Sequence, residues 1–174
     1  MLSIRFDDIP EGGAELAETL SREWLEPLIG PQFITGTDPV RVQFYLMRAG
    51  PSVIAKGKIT GHVGFVCSRC AEEASLDVDY SFTHVFVKGE QAGSVPDGTD
   101  DPESLEFTFF DGETVELEPL TGEEMVLSLP RFPLCGENCK GICQGCGKNL
   151  NEGPCACQAD VVDPRWSRLR DIKL

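Results

Sequence analysis

Eight cysteines are the residues of this sequence best suited to chemistry, and their spacing is typical of metal ligands. The first two form a C-x2-C pair, and the other six follow after a long gap as C-x3-C-x3-C-x2-C-x8-C-x-C. Eight thiols divide into two sets of four, which is the number that a structural zinc ion requires. We therefore predict two structural Zn²⁺ ions with eight ligands: Cys67, Cys70, Cys135, Cys139, Cys143, Cys146, Cys155 and Cys157.

The spacing leaves open which four cysteines share an ion. We favour one long-range set and one local set. The long-range set is Cys67, Cys70, Cys135 and Cys139, and the local set is Cys143, Cys146, Cys155 and Cys157. The first ion would tie the body of the protein to its C-terminal segment, and the second would fold a small module that has almost no core of its own. The rival arrangement joins the two C-x-x-C pairs, as in a zinc ribbon: Cys67, Cys70, Cys143 and Cys146.

Other uses of the thiols fit the sequence less well. Disulfides need an oxidising compartment, and the first residues contain acids where a signal peptide needs an apolar run. Thioredoxin-like chemistry needs a C-x-x-C pair at a helix start, whereas Cys70 leads into another predicted strand. An iron–sulfur cluster can also use four thiolates and stays an alternative. Only His62 and His84 could assist a catalytic zinc, and both fall in predicted strands, so we expect no enzymatic activity.

The rest of the chain predicts an α+β fold, an antiparallel β-sheet with flanking helices and a cysteine-rich zinc module. Strands are expected at residues 2–6, 40–48, 53–67 and 76–87, and a hairpin at 105–110 and 114–117 with its turn at 111–112. Leu16, Leu20 and Trp24 recur at helical spacing, which predicts one amphipathic helix over 13–29 that Pro27 ends or kinks. Further helices are predicted at 120–129 and 163–169, and a mobile loop at 89–104.

These elements suggest a body and an appended module. We predict an α+β body over residues 1–134, which carries the first C-x-x-C pair, and a zinc module with a C-terminal helix over 135–174. No run of apolar residues is long enough to cross a membrane. Together with the missing signal peptide, this predicts a cytoplasmic protein.

The net charge of −14 is unevenly distributed. Residues 1–130 contain 8 Lys/Arg and 24 Asp/Glu, whereas residues 131–174 contain 7 Lys/Arg and 5 Asp/Glu. An acidic body repels nucleic-acid phosphates and attracts basic proteins, although acidity also simply favours solubility. Residues 131–174, in contrast, contain slightly more basic than acidic residues. The basic residues of this segment are Arg131, Lys140, Lys148, Arg165, Arg168, Arg170 and Lys173.

The cysteine motifs resemble those of the YceD-like family, which is named for the accumulation of large-subunit ribosomal RNA. The resemblance rests on Cys67-Ser-Arg-Cys70 followed by Ala-Glu-Glu, on the whole stretch 134–157, and on Asp163-Pro-Arg165 and Leu169. It extends from the Ile9-Pro10-Glu11-Gly12-Gly13 region to the C-terminus, and its specific part is the cysteine segment. Some family members keep the first cysteine pair but lack the later set, which favours treating the second site as an accessory module.

The resemblance implies a non-enzymatic factor for ribosome biogenesis that is needed for large-subunit ribosomal RNA to accumulate. Its expected partners are ribosomal RNA, a basic ribosomal protein of the large subunit, or both, with no membrane and no small-molecule substrate. One hypothesis is that the acidic body holds the protein and the arginine-bearing tail meets the RNA; the alternative is that the tail arginines only solvate a helix. A thiol-redox or metal-sensing role for the C-x-x-C pairs is the alternative.

Overall fold

Three long antiparallel strands form the centre of this computed structural model, which describes residues 2–34, 39–89, 106–110 and 113–157. The strands are β1 (Ser3–Arg5), β2 (Ala14–Leu20), β3 (Phe33–Ile34), β4 (Val40–Ala49), β5 (Ser52–Val66), β6 (Glu73–Lys88), β7 (Glu106–Phe110) and β8 (Thr114–Glu116). The helices are α1 (Arg22–Ile29) and α2 (Glu118–Ser128), with short 3-10 turns at Phe6–Asp8 and Leu150–Glu152. The predicted loop 89–104, apart from Gly89, the turn 111–112 and the helix 163–169 lie outside the described residues.

The main sheet is mixed, which corrects the expectation of an antiparallel sheet. Its order in the described residues is β2-β4-β5-β6-β7, with β3 paired to the far end of β5. The strands β2, β4, β5 and β6 are antiparallel to their neighbours, whereas β7 runs parallel to β6. Alternate residues of β4 and β5 are buried, as period-two patterning requires, so the strands at 40–48 and 53–67 are confirmed. The strands predicted at 2–6 and 76–87 are also present.

The helix predicted over 13–29 is wrong in its first half, where the chain forms β2. Spacing of four residues fits a helix face, but it also fits one face of a strand. Ala14, Leu16 and Leu20 are all even-numbered, and they pair along β4 from Leu46 to Val40. The helix α1 begins only after Ser21, whose Oγ accepts a hydrogen bond from the Trp24 N–H at 3.3 Å. Pro27 lies inside this helix, which continues to Ile29.

The predicted hairpin of 105–110 with 114–117 is also wrong, because its two strands pair elsewhere. The strand β7 joins the edge of β6, and β8 forms a two-stranded sheet with the N-terminal β1. Backbone hydrogen bonds extend the β1–β8 pairing beyond both ends of β8. The Phe6 N–H donates to the Glu113 carbonyl, and the Leu117 N–H donates to the Leu2 carbonyl, both at 2.8 Å. Local turn rules cannot reveal a partner more than a hundred residues away.

One core joins the sheet, both helices and the first cysteines. It contains Leu25 and Ile29 of α1, Leu120 and Met125 of α2, and buried residues of β4 and β5. Cys67, Cys70 and Cys139 belong to the same buried cluster. The helix α2 starts slightly earlier than predicted and ends before Pro130, as expected. None of the described helices is long and apolar enough to cross a bilayer.

Candidate metal centres

The first C-x-x-C pair forms the turn between the two longest strands. Val66 at the end of β5 pairs with Glu73 at the start of β6, so the turn consists of residues 67–72. Cys67 N–H donates to the Glu72 carbonyl at 2.9 Å, and Ala71 N–H donates to the Cys67 carbonyl at 3.0 Å. Ala71 adopts a left-handed backbone with φ of 59°. This closed turn holds the side chains of Cys67 and Cys70 close together at the tip of the hairpin.

The segment after α2 crosses this turn and brings two further cysteines to it. Ser68 N–H donates to the Pro133 carbonyl at 2.9 Å, which fixes the segment against the hairpin tip. The Sγ atoms of Cys70 and Cys135 are then 3.6 Å apart, and those of Cys67 and Cys139 are 3.8 Å apart. The four cysteines of the first group, Cys67, Cys70, Cys135 and Cys139, have Sγ atoms within 4.8 Å of one another.

The second group is built locally on a glycine-containing turn. Cys143 N–H donates to the Lys148 carbonyl and Gly147 N–H donates to the Cys143 carbonyl, both at 2.8 Å. Gly147 has φ of 74°, a conformation that disfavours side chains with a Cβ. The Sγ atoms of Cys143 and Cys155 are 3.3 Å apart. All four Sγ atoms of the second group lie within 4.8 Å of one another: Cys143, Cys146, Cys155 and Cys157.

The two groups differ strongly in their exposure to solvent. Cys67 and Cys70 are 2% and 3% exposed, and Cys135 is the one exposed member of the first group. In the second group, Cys146 and Cys157 are exposed and the other two are half-buried. The first group therefore lies at the end of the hydrophobic core, whereas the second lies at the surface.

The second cysteine group and its flanking residues, 141–157, form a second module. Contacts at Arg69 attach this module to the turn of residues 67–72. Ile142 N–H donates to the Arg69 carbonyl at 3.2 Å, and the Arg69 guanidinium donates to the Cys139 carbonyl at 3.1 Å. A Cβ atom on Gly141, which has φ of 72°, would lie 3.1 Å from the same Arg69 carbonyl. Glycine therefore lets the chain pass close to the turn. Asn149 adds a side-chain contact, donating to a Glu72 carboxylate oxygen at 3.4 Å.

Amide donors surround one sulfur of the first group and favour its ionised form. Burial raises the pKa of the Cys67 thiol, but backbone N–H groups, foremost that of Cys135 at 3.3 Å, outweigh it and lower the pKa to about 6. Two other thiols of this group, Cys70 and Cys135, have raised pKa values. Hydrogen bonding with Cys139 and Cys70 raises the pKa of Cys135 to about 12. Without a cation, four crowded thiols cannot all ionise, so the negative charge is favoured on the sulfur that accepts the most backbone hydrogen bonds.

The second group also contains one thiol with a lowered pKa and one with a raised pKa. Backbone N–H groups of Cys146 and Gly145, the latter 3.4 Å from the sulfur, lower the pKa of Cys143 to about 6. Hydrogen bonding with Cys146 and Cys143 raises the pKa of Cys157 to about 12. A divalent cation would remove the repulsion that keeps the remaining thiols protonated, because four thiolates surround it with opposite charge.

The sulfur positions fit a tetrahedral metal ion. Zinc–sulfur bonds of about 2.3 Å in a tetrahedron place neighbouring sulfurs about 3.8 Å apart. The observed separations of 3.6 and 3.8 Å in the first group agree, and the N–H donors supply the outer hydrogen bonds that thiolate ligands need. In the second group the Cys143–Cys155 separation of 3.3 Å is shorter, but its four sulfurs also lie within 4.8 Å of one another, so each group can hold one metal ion. The structure brings the cysteines together in the favoured sets, and places Cys135 and Cys139, not the second C-x-x-C pair, beside the first pair.

Neither histidine belongs to a cysteine group. His62 Nδ1 is 2.8 Å from an Asp77 carboxylate oxygen, and His84 Nε2 is 3.0 Å from the Thr108 hydroxyl, both within the sheet. Sequence reasoning missed Asn151, Arg69 and Gly141, which support the metal groups without being ligands. The glycine after Lys140 was the only available signal, since its position between two cysteines suggests a backbone constraint.

The comparison with known proteins agrees with the cysteine architecture. The chain matches the family described as large ribosomal RNA subunit accumulation protein YceD over residues 55–173, which include both cysteine groups. It is similar to the uncharacterized protein ML1660 of Mycobacterium leprae, with 27% identity over 144 residues that cover 77% of this chain and 59% of the relative. It is also similar to the uncharacterized protein Mb2951c of Mycobacterium bovis, with 29% identity over 121 residues that cover 69% of this chain and 55% of the relative.

The chain thus spans somewhat more than half the length of these curated relatives. No solved structure matches it. The family match covers well over half of the chain, from near the start of β5 through both cysteine groups. The chain belongs to the YceD family of large ribosomal RNA subunit accumulation proteins.

Proposed function

We propose that this protein is a non-enzymatic, zinc-binding factor for ribosome biogenesis that supports the accumulation of large-subunit ribosomal RNA. The family match over residues 55–173 carries the proposal, because it includes most of β5, all of β6, α2 and both cysteine groups. The protein acts by binding ribosomal RNA, a basic ribosomal protein of the large subunit, or both. It acts in the cytoplasm, where reducing conditions keep thiols available as ligands.

Zinc serves as a structural cross-link in this proposal. Four thiolates fill the coordination shell of each ion and leave no open position for a substrate or an activated water. An ion in the first group would join the β5–β6 turn to the segment after α2, and an ion in the second would hold residues 143–157 together. The amide donors to Cys67 and Cys143 support thiolate ligation at both places.

The distribution of charge supports two different contacts. The acidic residues of the body favour a basic protein, since complementary charge speeds and orients association. Exposed basic residues lie near the cysteine groups: Arg69 in the β5–β6 turn, and Lys140 and Lys148 in the cysteine segment. Such exposed cations suit phosphate contacts, which are the main source of affinity for RNA.

Capture from cell extract tests the partner proposal. The tagged, zinc-loaded protein should recover precursor large-subunit RNA or large-subunit ribosomal proteins, and RNA recovery should fall steeply as salt rises. A protein carrying Cys70→Ser should recover less, whereas Ser68→Ala, in the same turn, should match the wild type. Recovery of neither RNA nor ribosomal proteins at any salt concentration would refute the proposal.

A cellular assay tests the role itself. In cells lacking the gene, the wild-type chain should restore the ratio of large-subunit to small-subunit ribosomal RNA. The Cys70→Ser variant should fail to do so, and Ser68→Ala should succeed at equal protein abundance. Normal ribosomal RNA in the deleted strain would contradict the proposal.

The exposure of the second group favours one alternative, a thiol-redox or metal-sensing role. Cys146 and Cys157 are exposed, and an oxidant can reach them directly. Thiol titration of the zinc-loaded protein with and without hydrogen peroxide separates the two roles. Rapid, reversible loss of four thiols with release of one zinc ion favours sensing, whereas resistance to oxidant favours a purely structural module.

A further inference from the structure

An apolar groove runs between α1 and α2, on elements that carry no cysteine. It has a volume of about 830 Å³, and its walls include Trp24 and Leu28 of α1 and Val126 and Leu127 of α2. Gly122 of α2 lines the groove between these walls: a Cβ atom there would lie 3.5 Å from Leu28 Cδ1 and 3.8 Å from Trp24 Cη2. A longer side chain at this position would fill part of the space, so glycine keeps the groove open.

The walls expose unusually large apolar side chains for two short helices. Leu28 is 40% exposed, Val126 is 46% exposed and Leu127 is 63% exposed. The helix α2 already buries Leu120 and Met125 in the core, so these residues form a second apolar face. A contiguous exposed apolar patch of this kind is typical of a surface that binds another molecule.

Among the described residues, the charged side chains that line the groove are all acidic. Glu116, Glu118 and Glu123 line it, and no Lys or Arg from the described part of the chain does. A hydrogen bond from Trp24 Nε1 to a Glu118 carboxylate oxygen, 3.2 Å long, fixes one of these acids at the edge. An adjoining depression shares Trp24 and Glu118 and adds Glu18. Three carboxylates therefore line the apolar groove, and a fourth lies in the depression beside it.

We propose that this groove binds a cationic, amphipathic helical segment of a protein partner. The apolar face of such a helix would contact Leu28, Val126 and Leu127, while its Lys and Arg side chains would meet the surrounding glutamates. The same charges disfavour RNA and anionic lipid at this surface, because both would place phosphates beside carboxylates. The inference rests on the proposed function and deepens it by naming the surface and the chemistry of the protein contact.

Tryptophan fluorescence can measure this binding directly. The sequence contains two tryptophans, so Trp166→Phe leaves Trp24 in the groove as the only reporter. A short helical peptide of leucine and lysine in amphipathic order should shift and saturate the Trp24 emission of the full chain. A peptide with the same residues in scrambled order should bind at least about tenfold more weakly, because it has no continuous apolar face.

Two surface substitutions and their matched controls locate the contact. Leu127→Asp and Glu123→Lys should each weaken peptide binding by about tenfold, since one removes an apolar contact and the other reverses a charge. Phe132→Asp, at a residue 70% exposed outside the groove, and Glu137→Lys, at an exposed acid in the cysteine segment, should leave binding unchanged. Equal binding by Leu127→Asp and wild type, or equal binding of the scrambled peptide, would overturn the proposal.

The C-terminal segment of this chain is the competing occupant, because it contains Trp166, Leu169 and three arginines. Replacing Arg165, Arg168 and Arg170 with Glu in the full chain should not change peptide affinity. Markedly tighter peptide binding by this variant would show that the tail occupies the groove and would overturn the proposal. These titrations use purified protein, so a negative result leaves the role in ribosomal RNA accumulation to be judged by the cellular assay.

Discussion

Asn151 donates a hydrogen bond from Nδ2 to the Sγ atom of Cys139, over 3.4 Å. Asn151 lies between the ligands of the second cysteine group, whereas Cys139 belongs to the first. The Asn151 Oδ1 atom also accepts from the Lys140 N–H at 2.8 Å, which fixes the side chain between the two groups. This hydrogen bond lowers the pKa of Cys139 and stabilises its thiolate. Folding of the second module thus positions a donor that the first group uses.

Replacing Asn151 should therefore weaken metal binding at a group to which it contributes no ligand. We expect Asn151→Ala to lower the affinity of the first group for zinc by about tenfold, as loss of outer-shell partners does elsewhere. Competition with a chromophoric chelator measures this affinity. Asn138→Ala, which changes an exposed asparagine beside Cys139, is the matched control and should retain wild-type affinity. Equal affinities for both variants would show that the Asn151 contact is incidental.

The difference in burial predicts the order in which metal is lost. A chelator should remove one zinc ion per chain quickly, from the exposed second group, and the other slowly, because Cys67 and Cys70 lie in the core. Native mass spectrometry after timed exposure to EDTA follows both ions. Cys155→Ser should abolish the fast phase and leave the slow phase nearly unchanged. Simultaneous loss of both ions, or a single ion in the untreated protein, would be inconsistent with two separate sites.

Loss of the first ion should destabilise the body far more than loss of the second. An ion in the first group links the β5–β6 turn to the segment after α2, so Cys70→Ser should lower the free energy of unfolding by several kcal/mol. The corresponding change in the surface module, Cys157→Ser, should alter the unfolding of the sheet by less than about 1 kcal/mol. Urea unfolding followed by the circular dichroism of the sheet compares them. Equal losses would mean that the first ion does not brace the core.

The thiols of the metal-free second group should ionise in a defined order. The pKa of Cys143 is lowered from 9.0 to about 6, and that of Cys157 is raised to about 12. A lowered pKa means that the folded chain favours the thiolate, so this stabilisation is fully present above pH 9 and is lost as the pH falls through 6. At pH 7, iodoacetamide should alkylate Cys143 well before Cys157.

Peptide mapping after brief alkylation measures this order. The reactivity of Cys143 should fall as the pH drops below about 6, whereas that of Cys157 should stay low until the solution is strongly basic. Unfolding in urea is the control and should make the two cysteines react alike. Preferential modification of Cys157 in the folded, metal-free protein at pH 7 would contradict the assignment.

The sequence predicted the central strands well because their side chains alternate over long stretches. Buried residues alternate with more exposed ones from Val40 to Leu46 and from Val53 to Ile59, and such a period excludes a helix. The segment 13–29 lacked this clarity, since Leu16 and Leu20 fit either period. Its first half forms a strand because it pairs with the edge of β4, and this pairing is a tertiary contact. The parallel placement of β7 beside β6 depended in the same way on residues distant in the chain.

The number of ligands could be anticipated because a structural zinc ion takes four, whereas the spacing left two divisions of the eight cysteines open. The residues that surround the cysteines could not be anticipated. Asn151 and Arg69 contact the first group only because the second module folds back on the β5–β6 turn, and no local pattern marks either residue. The α1–α2 groove was also invisible in sequence, because the helix predicted over 13–29 wrongly included the strand β2 and the glycine of α2 reads simply as a weak helix former.

The sheet that carries the first cysteine turn depends on a glycine at the centre of β5. Gly57 pairs with Phe82 of β6, and the Phe82 ring lies directly over it, where a Cβ atom would clash with three ring carbons. The Phe82 ring cannot move freely, because the Phe44 ring packs edge-on against it and the Tyr80 ring stacks with it. The ring centroids are 5.7 Å and 6.1 Å away, respectively. Gly57→Ala should therefore lower the free energy of unfolding by about 1–3 kcal/mol.

Gly12→Ala provides the control, because a Cβ atom at Gly12 would meet no atom within 4 Å. Urea unfolding of the metal-loaded protein should show little change for this variant. A double-mutant cycle then tests the cause. In a Phe82→Leu background, the cost of Gly57→Ala should shrink to less than half, because the smaller side chain leaves room for the added methyl group. An undiminished cost would mean that Gly57 matters for its backbone and not for the ring above it.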